Sequence, residues 1–231
     1  KVDDGRARPD ARVGLRGLVI SAGEHKHLRI SRRREIGAAH LPTDPEGLSD
    51  TVASWHAYKT GVYTDLVADG VMPGRPGIAR IVTAAHKAGW TLAVASTSHE
   101  DAVRAVLEHA VGTDMAAHFS VFAGDIVAKK KPAPDIYLLA VHELAVPVDD
   151  AVVVEDSANG LSAALAAQLR TVVTVSSFTG EEDFTGASLV VTSLGDSPEP
   201  AASVLANPHD VSVDHEVTLD VLTQILTTPR P

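Results

Sequence analysis

The chain contains no cysteine. Disulfides, thiolate nucleophiles and cysteine-ligated zinc are therefore excluded. Aromatic residues make up only 4% of the 231 positions, so the core has to be built mainly from Val, Ala and Leu. Basic residues are also in the minority. Against 30 Asp and Glu there are 20 Lys and Arg, and the formal net charge of −10 opposes broad nucleic-acid binding while still permitting a locally positive pocket. No apolar run reaches the roughly 18 residues that a membrane-crossing helix needs. No signal peptide is visible either, so a cytoplasmic protein is expected unless a targeting peptide precedes Lys1. The 11 histidines are scattered, and only His25-Lys-His27 approaches ligand spacing, on a polar stretch read as surface.

What is present is a hydrophobic content of 45%, enough to bury a sizeable core as one large domain or as a core plus a cap. Residues 1 to about 12 are polar and Arg-rich, and the pattern up to about Met72 is mainly helical, with a turn at Leu41-Pro-Thr-Asp-Pro-Glu-Gly. Residues 1–72 are thus expected to be a partial helical cap. At Pro73-Gly-Arg-Pro76-Gly the composition changes. Helix Ile78 to Ala88 then opens an alternation of strands at 91–95, 119–123, 151–154, 171–175 and 188–191 with helices at 99–110, 135–144 and 159–167. Strands alternating with helices of about ten residues indicate an α/β core over 73–195 with a parallel, doubly wound sheet. Residues 196–231 are expected to form a linker and a docking helix, 217–226. Gln168 falls where a helix C-cap calls for a left-handed residue, a conformation that strains any side chain with a Cβ.

Three segments carry chemistry. Val152-Val-Val-Glu155-Asp156-Ser-Ala-Asn-Gly160 is an apolar strand that delivers two carboxylates to a turn, and ligands in open α/β sheets bind at such strand ends. Acidic residues also cap helices, and a helix follows directly. Trp90-Thr-Leu-Ala-Val-Ala-Ser96-Thr97-Ser98 ends a second buried strand in three hydroxyls before a helix, a setting suited to phosphate oxygens. In the bland alternative Ser98 is an N-cap completed by Asp101 as a capping box. In Ala128-Lys-Lys-Lys131-Pro132-Ala-Pro134-Asp135-Ile-Tyr137, prolines fix the chain ahead of a helix and hold the charge of Lys131 at a defined place, although three lysines in a row also describe a solvated turn. Trp55, His56, Tyr58, Lys59 and Tyr63 suggest packing of a cap helix, with Lys59 able to face a ligand.

The order hydroxyl after a strand, Lys-Pro, then strand-Glu-Asp resembles motifs two to four of the haloacid dehalogenase (HAD) superfamily. The likeness is to its CbbY-like, β-phosphoglucomutase-like branch. It extends over Ala123-Gly-Asp125-Ile-Val, Lys131-Pro-Ala-Pro-Asp-Ile-Tyr137, Glu155-Asp-Ser-Ala-Asn-Gly160, Thr174-Val-Ser-Ser-Phe-Thr179 and Glu182-Asp-Phe184-Thr-Gly-Ala187, and covers roughly residues 13 to 195. The resemblance implies a Mg²⁺-dependent phosphohydrolase with an aspartate nucleophile, acting on a small phosphorylated metabolite such as a sugar phosphate. A sugar-phosphate mutase is the nearest alternative, and a non-catalytic phosphometabolite-binding protein a further one. It implies Asp156 and Glu155 as metal residues, Ser96 and Thr97 as phosphate-binding residues, and Lys131 as the cation that offsets charge on the nucleophile and the phosphoryl oxygens. Glu24, Lys26 and Lys59 would be cap residues toward the substrate, with Glu24 standing where the family has lysine.

The family's first motif, a strand followed by DxDGT, has no match here. Val2-Asp3-Asp4-Gly5-Arg6 puts valine at the nucleophile position, so Asp3 and Asp4 are read as surface acids. Gly17-Leu-Val-Ile20-Ser21 is an alternative for the strand, ending in a hydroxyl, but the segment is assigned to the cap with Ala22-Gly23-Glu24-His25-Lys26. An N-terminal segment carrying the motif is therefore expected to be missing. In the HAD fold that strand lies between those carrying motifs two and four. Its loss would leave buried backbone groups unpaired at about 1–3 kcal/mol each, so a normal core is not expected unless another segment fills the slot.

Overall fold

The computed structural model describes residues 16–21, 42, 44–68, 74–197 and 200–231. The apolar runs become strands β1 (Gly17–Ile20), β2 (Thr91–Ala95), β3 (Phe119–Phe122), β4 (Ala151–Glu155), β5 (Arg170–Thr174) and β6 (Leu189–Val191). Between β1 and β2 lie α1 (Pro45–Ala68) and α2 (Ile78–Lys87). Helix α3 (Glu100–Val111) and the single turn α4 (Thr113–Ala116) lead to β3, α5 (Asp135–Glu143) leads to β4, and α6 (Ala158–Ala166) joins β4 to β5. With β7 (Val204–Ala206) the strand order is β3-β2-β1-β4-β5-β6-β7, β1 to β6 being parallel. This is the doubly wound α/β sheet that the alternating pattern implies.

The central slot is filled. Gly17–Ile20, assigned from sequence to the cap, is paired in parallel with β2 on one side and β4 on the other, from Gly17 opposite Thr91 and Ala151 to Ile20 opposite Val94 and Val154. The four residues are buried, and their short apolar run is what a strand covered on both faces requires. The expectation of an unfilled gap, and of a cap reaching through residues 17–20, is corrected. A sheet with five other parallel strands offers these residues ladder bonds on both sides, whereas a helix would satisfy only its own.

Alternation along the strands divides the core. Leu18, Ile20, Leu92, Val94, Val152 and Val154 face α2, α3 and the C-terminal helix α7 (Leu219–Leu226), while Val19, Ala93, Ala95 and Val153 face α5 and α6. Helix α7 docks through Val221, Leu222 and Ile225, as its spacing implies. Helix α1 lies against α3, but Trp55 and Tyr58 are exposed rather than packed. One strand was not legible: β7 (Val204–Ala206) pairs antiparallel with β6 inside the segment read as linker, and all three of its residues are exposed, so no apolar alternation marks it. Gln168 has φ 59°, the left-handed value its position implies. Among the described residues no helix is long and apolar enough to cross a membrane.

Candidate phosphate and metal site

The site lies at the carboxyl ends of β1, β2 and β4, where an open α/β sheet holds its ligands. Ser21 follows β1, and its amide donates to the Val154 carbonyl at 2.9 Å, so the backbone ladder fixes the residue. Ser96 follows β2, is buried, and donates its amide to the Phe122 carbonyl at 2.9 Å. Its Oγ accepts from the Ser98 amide at 3.2 Å. The N-cap of α3 is His99, not Ser98: its imidazole accepts from the Asp101 amide, and the helix starts one residue later than the capping-box reading requires. Likewise Ser157 caps α6 by accepting from the Gly160 amide at 3.2 Å, and the Glu182 carboxylate, rather than Glu155 or Asp156, accepts from the Ala158 amide at 2.6 Å. Glu155 and Asp156 are thus free of capping duty.

Lys131 is the hub. Its ammonium donates to Glu155 Oε1 at 2.7 Å, Ser21 Oγ at 2.8 Å, Tyr137 OH at 2.9 Å and the Ala95 carbonyl at 3.2 Å. The Tyr137 hydroxyl also donates to Glu155 Oε1. The Glu155 side chain is fully buried and that of Lys131 only 7% exposed. Burial alone would raise the Glu155 pKa, but the charge of Lys131 and hydrogen bonds from Lys131, Tyr137 and Ser21 outweigh it and hold the carboxyl below its ordinary value. Burial pushes Tyr137 well above its ordinary value, and the Glu155 charge adds to this, so the phenol keeps its proton for Glu155. Gly160 makes the arrangement possible, because a Cβ there would overlap the Glu155 carboxyl group.

Asp156 is placed differently. Its amide donates to Glu155 Oε2 at 3.0 Å, while its own Oδ1 is buried without a hydrogen-bond partner. Burial and then the Glu155 charge raise its pKa from 3.8 to about 6, with Arg75 and Lys131 opposing. Arg75 was not singled out from sequence, although its stiff Pro-Gly-Arg-Pro-Gly setting was a usable signal. It donates to the carbonyls of Val175 and Thr192, both at 2.9 Å, which holds its charge near Asp156. The structure therefore brings Ser21, Ser96, Lys131, Glu155 and Asp156 to one sheet edge. Thr97 follows Ser96 there, partly buried. Asp3, Asp4, Glu24, His25, Lys26 and His27 lie outside the described residues, and of Lys59 only the position on α1 is described.

A family model for haloacid dehalogenase-like hydrolases matches residues 16–168. The chain belongs to that family. Within the HAD-like hydrolases its likeness is to CbbY proteins. A CbbY-like protein of Arabidopsis thaliana is 39% identical over 188 residues, covering 81% of this chain, and the chain spans 59% of that relative's length. The plasmid-borne CbbY of Cupriavidus necator is 37% identical over 194 residues, 83% of this chain and 74% of the relative. Among solved structures, CbbY from Rhodobacter sphaeroides in complex with phosphate superimposes with a TM-score of 0.64 at 32% identity, over 78% of this chain and 94% of the other. A mutant of that CbbY in complex with xylulose-(1,5)bisphosphate gives the same TM-score at 31% identity.

The family implies Mg²⁺. Among the described residues no group of three or more His, Cys, Asp or Glu comes together, so an all-protein cage is absent there. A hard cation that keeps waters and shares phosphate oxygens needs only one or two carboxylates. The unpartnered, shielded Asp156 Oδ1 fits that need. Glu155 fits less well, since both of its oxygens already accept hydrogen bonds.

Proposed function

We propose that this chain forms the phosphate- and Mg²⁺-binding side of a phosphohydrolase acting on a small phosphorylated metabolite, a sugar phosphate. The observation that carries the reading is Lys131, an ammonium held by Glu155, Tyr137 and Ala95 and aimed at the tip of the central strand. Asp156 would hold Mg²⁺, which when bound offsets phosphoryl charge. Lys131 binds a phosphoryl oxygen at the place Ser21 Oγ occupies, and Ser96 and Thr97 donate hydrogen bonds beside it. A fixed cation where charge develops is the main protein contribution to phosphoryl transfer. Glu155 acts through Lys131, holding its ammonium in place. Ser21, not an aspartate, stands at the tip of β1 where the family's attacking aspartate would become an aspartyl phosphate, so the hydrolase reading requires a carboxylate from beyond the described residues, and α1 belongs to a cap that closes over the substrate. The phosphate and xylulose-(1,5)bisphosphate complexes of the CbbY relative support a phosphorylated sugar as substrate.

A second reading rests on one residue. Ser21 stands at the tip of β1, where the family's nucleophile would be, and a hydroxyl there favours a protein that binds the phosphorylated metabolite without cleaving it. A panel of sugar phosphates assayed for Mg²⁺-dependent phosphate release separates the two. The hydrolase reading requires release that Asp156→Ala abolishes while the fold is retained. Binding of the same compounds without release would replace it with the binding reading, and activity undiminished in Asp156→Ala would remove the metal assignment.

A further inference from the structure

Tyr137 is buried at the centre of the cluster, at the end of the Lys-Pro motif, and so far figures only as one of the groups in contact with Lys131. We propose that it is a positioning residue that aims the Lys131 ammonium at the phosphoryl group. The proposal rests on the reading of Lys131 given above, and Tyr137 itself touches no substrate.

An ammonium has three N–H donors. Four oxygens lie within 3.2 Å of Lys131 Nζ: Glu155 Oε1, Ser21 Oγ, Tyr137 OH and the Ala95 carbonyl. The single phenolic proton goes to Glu155, so toward Lys131 the Tyr137 oxygen can only accept. Glu155 and Tyr137 together take two of the three donors on the side of β4 and α5. The third is left between Ser21 and Ala95 at the strand ends, and it is the donor an incoming phosphoryl oxygen receives. The Tyr137 ring also lies beside the ammonium, its centroid 4.6 Å from Nζ, a cation–π contact that favours the charge in this place. Without the hydroxyl, Glu155 alone would hold that side and the ammonium could turn about its terminal bond. A lysine is a point charge on a flexible stem, and its direction has to come from its neighbours.

Tyr137→Phe keeps the ring and the packing and removes only the hydroxyl. The decisive readout is the side-chain ammonium resonance of Lys131 in nitrogen-15 NMR, assigned by its absence from Lys131→Arg. In the native chain it is expected to be sharp and protected from solvent exchange. In Tyr137→Phe it should be lost to exchange, and binding of inorganic phosphate in the presence of Mg²⁺ should weaken about tenfold, the scale of one hydrogen bond to a charged group. Ile136→Val, in the same buried turn of α5, should lower the melting temperature while leaving both readouts in place. Persistence of the Lys131 resonance in Tyr137→Phe, its absence from the native protein, or an equal loss in Ile136→Val would each overturn the proposal. Should the native chain bind no phosphate, the reading of the site fails, and the ammonium resonance still decides whether Tyr137 orders Lys131.

Discussion

Asp156 and Glu155 are adjacent in sequence and opposite in electrostatic condition. Glu155 is ionised because Lys131 neutralises it in place; removing that cation with Lys131→Met should cost about 3–5 kcal/mol, the scale for stranding a buried charge, seen as a large drop in melting temperature. Asp156 has no such partner on Oδ1, and its pKa of about 6 means that the fold holds a proton which the unfolded chain has already lost. Between the ordinary value of 3.8 and about 6, its contribution to stability therefore falls as pH rises, and above that window the full cost of the buried charge is present. Asp156→Asn should stabilise the protein by about 2–3 kcal/mol above pH 6 and by nearly nothing below pH 4, measured by denaturation at both pH values. Added Mg²⁺ should raise the melting temperature of the native chain at the higher pH and not that of the variant. A variant no more stable at high pH than at low pH would contradict this picture of Asp156. The Glu-Asp pair was legible from sequence as a strand-end motif, but its division of labour was not. That division depends on Lys131 and Tyr137 arriving from 24 and 18 residues away, and no local pattern records which oxygen they reach.

Helix α6 can approach the end of β4 only because Gly160 leaves room for the Glu155 carboxyl group. Gly160→Ala should destabilise the chain by at least about 1–3 kcal/mol, the range for overpacking, and should weaken phosphate binding by displacing Glu155 and, through it, Lys131. Unchanged binding in that variant would show that the two elements can separate without cost. Leu18, Val19 and Ile20 lie in a strand flanked by β2 and β4, and their amides should be among the slowest to exchange with solvent; exchange as fast as in a surface loop would refute the sheet order. Most elements could be read from sequence because each carries its own period: apolar runs for buried strands, helical spacing for α2 and α7. Gly17–Ile20 could not, since four apolar residues fit a helix or a strand equally well and only the open ladder between β2 and β4 decides between them. Strand β7 escaped for the opposite reason, having no buried face at all.

At the scale of the whole molecule, a chain of net charge −10 gathers two cations, Lys131 and Arg75, at the carboxyl edge of its sheet. The surface as a whole repels polyanions, while this one edge is suited to a small phosphate whose charge a divalent cation can share. The doubly wound fold explains why the residues meet: the order β2-β1-β4 brings three strand tips together, and the segments after each tip contribute Ser96, Ser21 and Asp156. The central claim is that these tips hold a phosphoryl group with Mg²⁺ on Asp156. Its most direct test is a calorimetric titration of inorganic phosphate into the chain with and without Mg²⁺, repeated on Asp156→Ala. Binding that requires Mg²⁺ and disappears in the variant, with its circular dichroism unchanged, is the expected result. No binding, or binding indifferent to both the metal and Asp156, would contradict it.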